Sequence, residues 1–215
     1  MTTKEKLLAL LEDSKGTFFS GEEIARTLQV SRAAVWKAVN ALREDGYTID
    51  AATNKGYRLS PDSDILSPQG IRRFLKPEYR DLDLTVLPTA PSTNALVREK
   101  ANQGRPEGCV IVACEQTAGR GRYGRQFFSP VDSGVYLSLL LRPTAYSPQQ
   151  ATCLTAAAAA AMCQAIEAVT GQQPGIKWVN DIFLHGKKVC GILTEAAVGL
   201  ETGTLNYMVL GAGVN

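Results

Sequence analysis

Histidine is almost missing from this chain. The single one, His185, leaves no cluster of imidazoles to hold a metal. Five cysteines stand at 109, 114, 153, 163 and 190, an odd number with no Cys-x-x-Cys pair. That usage excludes a disulfide framework and a redox motif. It reads as small buried hydrophobes in a reducing, cytoplasmic compartment. No uninterrupted run of about eighteen apolar residues occurs, and the opening Met1-Thr2-Thr3-Lys4-Glu5-Lys6 lacks the apolar stretch of a signal peptide, so no membrane partner is expected. Neither sign of charge is in excess. With 23 basic and 21 acidic side chains the formal net charge is +2, so any nucleic-acid surface must be local. The 215 residues, 45% hydrophobic and 20% charged, allow one large or two small domains.

Residues 1–60 carry the pattern of a small DNA-binding unit. Residues 4–11 have helical spacing, with Leu7, Leu8, Leu10 and Leu11 as the apolar face. Ser20 opens a second helix, with Glu22 and Glu23 near its positive end. Leu28-Gln29-Val30 is a turn, and Ser31 caps a third helix that runs from Arg32 to Glu44 and stops at Asp45-Gly46. Two short strands at 47–50 and 56–59 then flank the turn Thr53-Asn54-Lys55-Gly56. The order is helix, helix-turn-helix, wing. In that arrangement the N-terminal side chains of the third helix enter the major groove. Ser31, Arg32, Trp36, Lys37 and Asn40 are the candidates, with Asn54, Lys55 and Arg58 on the wing. An ordinary three-helix domain with a solvated basic face is the alternative.

Residues 61–66 are a linker, and 67–215 form the second domain. Ser67-Pro68-Gln69 opens a helix to about Phe74. Strands and helices then alternate. Strands are expected at 84–87, 109–114, 134–141, 175–178, 182–185, 188–197 and 206–211. Ser92 caps a helix to about Asn102, and a capping-box-like Ser147-Pro148-Gln149-Gln150 opens a long helix to Thr170. The fold class is α+β, with an α/β-like central mixed sheet and helices, behind a winged helix-turn-helix.

One segment is chemically unusual. In 115–130 three glycines alternate with three arginines as Gly119-Arg120-Gly121-Arg122-Tyr123-Gly124-Arg125. Glycine lets the backbone approach a ligand, and arginine offers a donor fork matched to phosphate and carboxylate. No Lys-Ser or Lys-Thr follows, so this is not a P-loop. By composition alone it could equally be a solvated basic turn or an RNA-binding Arg/Gly tract.

Three further segments share its order and spacing with one family: Ser92-Thr93-Asn94, Lys177-Trp178-Val179-Asn180-Asp181, and Lys187-Lys188-Val189-Cys190-Gly191-Ile192-Leu193. With the Arg/Gly loop, they resemble the bacterial biotin–protein ligases, from about Glu5 to Asn215. The N-terminal module makes the chain resemble the two-function members, which also repress biotin-synthesis genes. The resemblance implies a catalytic domain similar to class II aminoacyl-tRNA synthetases. Family members continue past the counterpart of Asn215 into a small C-terminal β-barrel, so the catalytic domain is expected to be incomplete here.

The implied substrates are biotin and ATP with Mg²⁺. The implied partners are a biotin carboxyl carrier protein, operator DNA, and a second copy of the chain once the adenylate is bound. Lys188, Arg120 and Arg122 are the implied catalytic residues. Biotin would be held by Ser92, Thr93, Asn94, Gln116, Gly119, Arg120, Gly121, Arg122, Lys188 and Gly191. Arg120, Arg122, Lys177, Asn180 and Asp181 would serve ATP, and Asp181 a metal ion. The chain departs from the family at Tyr123, where arginine is common, at Phe127, where tryptophan is common, and at Val179, where proline is common. A lipoyl or octanoyl transferase of the same fold, and a ligand-sensing regulator without catalysis, are the alternative functions.

Overall fold

The computed structural model describes residues 1–131, 133–143, 146, 150–199 and 204–215. The chain separates into two compact units, Met1–Asp81 and Leu82–Asn215.

The first unit opens with α1 (Thr3–Asp13). Thr2 and Glu5 form a reciprocal capping box at its start, a feature the leucine spacing alone did not reveal. Ser20 caps α2 (Gly21–Leu28), and Ser31 caps α3 (Arg32–Glu44) by accepting from the Ala34 N–H. Gln29 between them takes a left-handed conformation and makes the turn. β1 (Ile49–Ala52) and β2 (Gly56–Leu59) pair antiparallel as the wing. Leu7, Leu11, Ile24, Val35, Val39, Leu42 and Leu59 are almost wholly buried in one core. The unit continues past the wing, because Ser67 caps α4 (Pro68–Phe74), which packs on α1. Arg73 donates to the Glu12 carbonyl at 2.8 Å, and Ser67 lies 3.4 Å from the buried Glu12 carboxylate. Sequence alone placed this helix with the second domain; these contacts attach it to the first.

The second unit is a seven-stranded mixed sheet. β3 (Asp83–Leu87), β4 (Cys109–Ala113), β5 (Val135–Leu141), β6 (Gly175–Lys177), β7 (Asp181–Leu184), β8 (Lys187–Val198) and β9 (Leu205–Val214) lie in the order β3-β4-β5-β9-β8-β7-β6. Among the described strands only β3 and β4 pair parallel, as expected for strands joined through a helix, here α5 (Thr93–Asn102). The last strand inserts between β5 and β8, so the centre of the sheet is made by its C-terminal end.

The long helix α6 (Ala151–Thr170) stops at the left-handed Gly171. Of its expected opening residues, 147–149 lie outside the described residues, and Gln150 stands at the N-cap. Ala159 and Ile166 are its buried contacts, and Thr155 meets Thr194 of β8 at 2.8 Å. Residues 152–170 are long and apolar enough to cross a membrane by length and composition, although glutamine and glutamate interrupt the run. The sequence reading missed this, because it required an uninterrupted apolar stretch.

Candidate active site

Four segments distant in sequence meet over the middle of the sheet. Their cleft is open to solvent, with a cavity volume of about 60 Å³. One end is polar. Ser92 caps α5, accepting from the Ala95 N–H at 3.4 Å, which places Thr93 and Asn94 at the first turn. The Gln116 side-chain carbonyl accepts from the Thr93 N–H at 2.8 Å and from its hydroxyl at 3.1 Å. The Gln116 amide donates to Ser129 at 3.1 Å.

Asn94 is fully engaged as a donor, to the Leu193 carbonyl at 3.3 Å and the Glu195 carboxylate at 2.8 Å. Its oxygen lies 2.6 Å from the Ser138 hydroxyl, which also lies 2.7 Å from that of Thr93. One serine proton serves these two acceptors in turn. Asn94 therefore has a single lone pair left for a ligand; its main task is to fix its neighbours.

Glycine makes the floor. A Cβ on Gly211 would lie 2.0 Å from the Asn94 side-chain oxygen. A Cβ on Gly213 would lie 2.5 Å from the Phe127 ring, and one on Gly191 2.7 Å from the same ring and 3.2 Å from the Lys188 ammonium. The bare face of Gly191 is thus covered by Phe127. Phe127 in turn packs edge-on to the buried Tyr136, with ring centres 6.4 Å apart. Leu137, Ile192 and Ala212 complete an apolar slot.

The other end is cationic. Backbone bonds pin the Arg/Gly loop as a narrow hairpin, from Gly121 to Arg125 at 2.7 Å and from Phe127 to Gly119 at 2.9 Å. Tyr123 at its tip adopts positive φ, a conformation less favourable for it than for glycine. Arg120 and Arg122 line the cleft. Arg122 donates to the Asn180 side chain at 2.8 Å, linking the loop to the turn between β6 and β7. Lys188 pairs with Asp181 at 2.7 Å, both partly exposed. Such a pair is worth only about 0–1 kcal/mol, so Lys188 can exchange Asp181 for a phosphate oxygen at little cost.

Of the residues assigned from sequence, Ser92, Thr93, Asn94, Gln116, Arg120, Gly121, Arg122, Asn180, Lys188 and Gly191 line the cleft. Three do not. Gly119 is buried behind it, where a Cβ would meet the Phe127 carbonyl at 2.6 Å. Lys177 points to the Phe183 ring, 5.6 Å away. Asp181 reaches the cleft only through Lys188 and the Asn180 amide. No group of three potential metal-ligating side chains exists among the described residues. Asp181 therefore fits a metal only as one ligand to an ion held mainly by phosphates. Ser138, Glu195, Gly211 and Gly213 were missed. Two glycines inside the last strand were the available signal, since glycine there marks close approach.

The first unit presents a separate surface. Ser31, Arg32, Trp36, Lys37, Asn54 and Lys55 are exposed, and Asn40 is half-buried. Arg32, Trp36 and Asn54 share a groove between α3 and the wing. Arg58 is instead tied to Asp50 at 2.8 Å and lies over Phe18, which removes it from the wing's free charges.

A ligand cleft on a mixed sheet, behind a helix-turn-helix, defines a protein with two recognition units. The chain belongs to the biotin/lipoate A/B protein ligase family, whose model matches residues 86–215. A helix-turn-helix domain model matches residues 3–58. The chain is 41% identical over 214 residues to the bifunctional ligase/repressor BirA of Bacillus subtilis, covering 100% of this chain and 65% of that one. Against the Escherichia coli protein of the same description the identity is 34%, over 100% and 64%. The chain thus spans slightly less than two thirds of these relatives. A Helicobacter pylori biotin acetyl coenzyme A carboxylase synthetase, solved with bound biotinylated ATP, is similar with a TM-score of 0.50 and 27% identity, over 63% of this chain and 61% of that one.

Proposed function

We propose that the cleft joins biotin to AMP and passes the biotinyl group to a lysine of a biotin carboxyl carrier protein. One observation carries this reading. A slot with polar groups at one end opens at the other onto Arg120, Arg122 and Lys188. That polarity matches a ligand with a hydrogen-bonding ring, an apolar chain and a carboxylate to be activated.

Ser92, Thr93 and Gln116 face the ring, and Leu137 and Ile192 flank the chain. The carboxylate oxygen attacks the α-phosphorus of ATP, the bond to the β-phosphate oxygen breaks, and pyrophosphate leaves. Lys188 and the two arginines stabilise charge that accumulates on the phosphoryl oxygens. The acceptor lysine then attacks the carbonyl carbon as a neutral amine. AMP leaves, and the amine proton passes to solvent. No enzyme nucleophile is required; positioning and electrostatics suffice. Mg²⁺ would neutralise the ATP phosphates, with Asp181 as its one candidate protein ligand.

The N-terminal unit binds operator DNA through α3 and the wing, and represses biotin-synthesis genes when the cleft is filled. Two copies pair through the open edge of the sheet, where β6 exposes all three residues. The setting is cytoplasmic, without a membrane partner. Calorimetric titration with biotin and with lipoate tests the substrate. Heat with biotin alone is expected; heat with lipoate alone favours a lipoyl or octanoyl transferase. Biotin binding without adenylate formation favours a regulator without catalysis.

A further inference from the structure

Trp36 sits where a soluble domain has no reason of its own to place tryptophan. It is 58% exposed, although it lies one turn along α3 from Arg32 and beside the buried Val35. The core of the unit is complete without it. Its groove is lined by small and apolar residues with polar ones among them. Arg32 lies four residues before it, on the same face of α3, and Asn54 of the wing shares its groove. A cation and an amide beside an exposed ring suit a surface that is negatively charged at its margins and carries flat or methylated edges within. Duplex DNA has that character: phosphates outside, base edges in the groove. In the major groove the one apolar base feature is the thymine 5-methyl group.

We infer that Trp36 is a specificity-determining residue, reading a thymine through contact of its ring with the 5-methyl group. This rests on the operator-binding reading above. Arg32 and Asn54, on the helix and wing walls of the groove, hold the strands on either side. α3 supplies the rigidity, with Ser31 capping its first turn and Val35, Ala38 and Val39 fixing its rotation. Those buried residues fix the face of α3 from which Trp36 projects.

The test uses the 215-residue chain and its Trp36→Ala and Trp36→Phe variants. Each, supplied with biotinyl-adenylate so that the cleft is filled, selects from a library of random-sequence DNA duplexes. The best duplex for the unmodified chain is then made with uracil for thymine at each selected position in turn. Uracil lacks only the methyl group. The expected result is one position per half-site where uracil weakens binding by about fourfold, the value of one buried methyl group. Trp36→Ala should bind the thymine and uracil duplexes equally, and Trp36→Phe should keep part of the difference. Lys37→Ala should weaken all duplexes alike and leave the thymine-to-uracil ratio unchanged. If Trp36→Ala keeps the full ratio, or no uracil substitution weakens the unmodified chain, the inference fails while operator binding stands. If the unmodified chain binds no duplex, operator binding fails and the inference with it. Trp36 lies outside the core, so both variants should retain the fold, which their helical circular dichroism will show.

Discussion

Gly211 is where the site is least tolerant. A methyl group there would occupy the position of the Asn94 oxygen, 2.0 Å away, and Asn94 cannot retreat while it is bonded to Leu193, Glu195 and Ser138. Gly211→Ala should therefore destabilise the second unit by about 1–3 kcal/mol, the usual cost of overpacking, and weaken biotin binding together with it. Urea unfolding beside a biotin titration checks this; unchanged stability would mean that Asn94 is not held as described. A second residue-level effect concerns pH. Burial pushes the Cys190 thiol from an ordinary 9.0 up to about 12. Burial likewise raises Cys163 and Cys109. A raised pKa means that the folded state keeps its proton longer than the unfolded chain. That contribution is fully present below about 9 and is lost as pH rises toward about 12. The urea midpoint should hold on the neutral side of this window and fall within it. A midpoint that rises there contradicts the assignment.

Among the elements, the helix starts were legible because capping is local. Ser20, Ser31, Ser67 and Ser92 each accept from a backbone N–H three residues on, a relation that two nearby residue types suffice to suggest. Gly191 and the glycines of the last strand were visible as signals, but that Gly211 and Gly213 join Gly191 in one floor was not, because it depends on β9 entering between β5 and β8, a long-range pairing that no local pattern encodes. Nor was the role of Asn180, which holds the Arg/Gly loop from a different turn. That bond defines a prediction for the loop as an element. Three glycines within 119–124 make its ordering costly in chain entropy, and the Arg122 guanidinium anchors it through Asn180 and stacks on Tyr123. Charge-assisted bonds of this kind contribute about 1.5–3 kcal/mol. Arg122→Gly removes the anchor and adds freedom. Retention of biotinyl-adenylate should fall about ten- to hundredfold, at 1.4 kcal/mol per decade. Adenylate synthesis should fall less, because Arg120 and Lys188 remain. Labelling of an unrelated lysine-rich protein in the presence of ATP and biotin reports the leak; labelling no greater than with the unmodified chain would remove Arg122 from this role.

At the scale of the whole molecule, the proposed function requires that filling the ligand cleft act on the DNA-binding unit through self-association. Biotinyl-adenylate should raise the sedimenting mass toward that of a dimer, and an unchanged mass would break the coupling. The central claim is narrower: the cleft of the second unit activates biotin. Its most direct measurement is the incubation of the chain with ATP labelled at the α-phosphorus, with biotin, with lipoate, or with neither. Labelled biotinyl-adenylate should form only with biotin, and Lys188→Ala should reduce it at least tenfold, since the lysine meets charge that develops in the transition state. Label that appears as an adenylate of lipoate, or no biotin-dependent adenylate at all, would contradict the account.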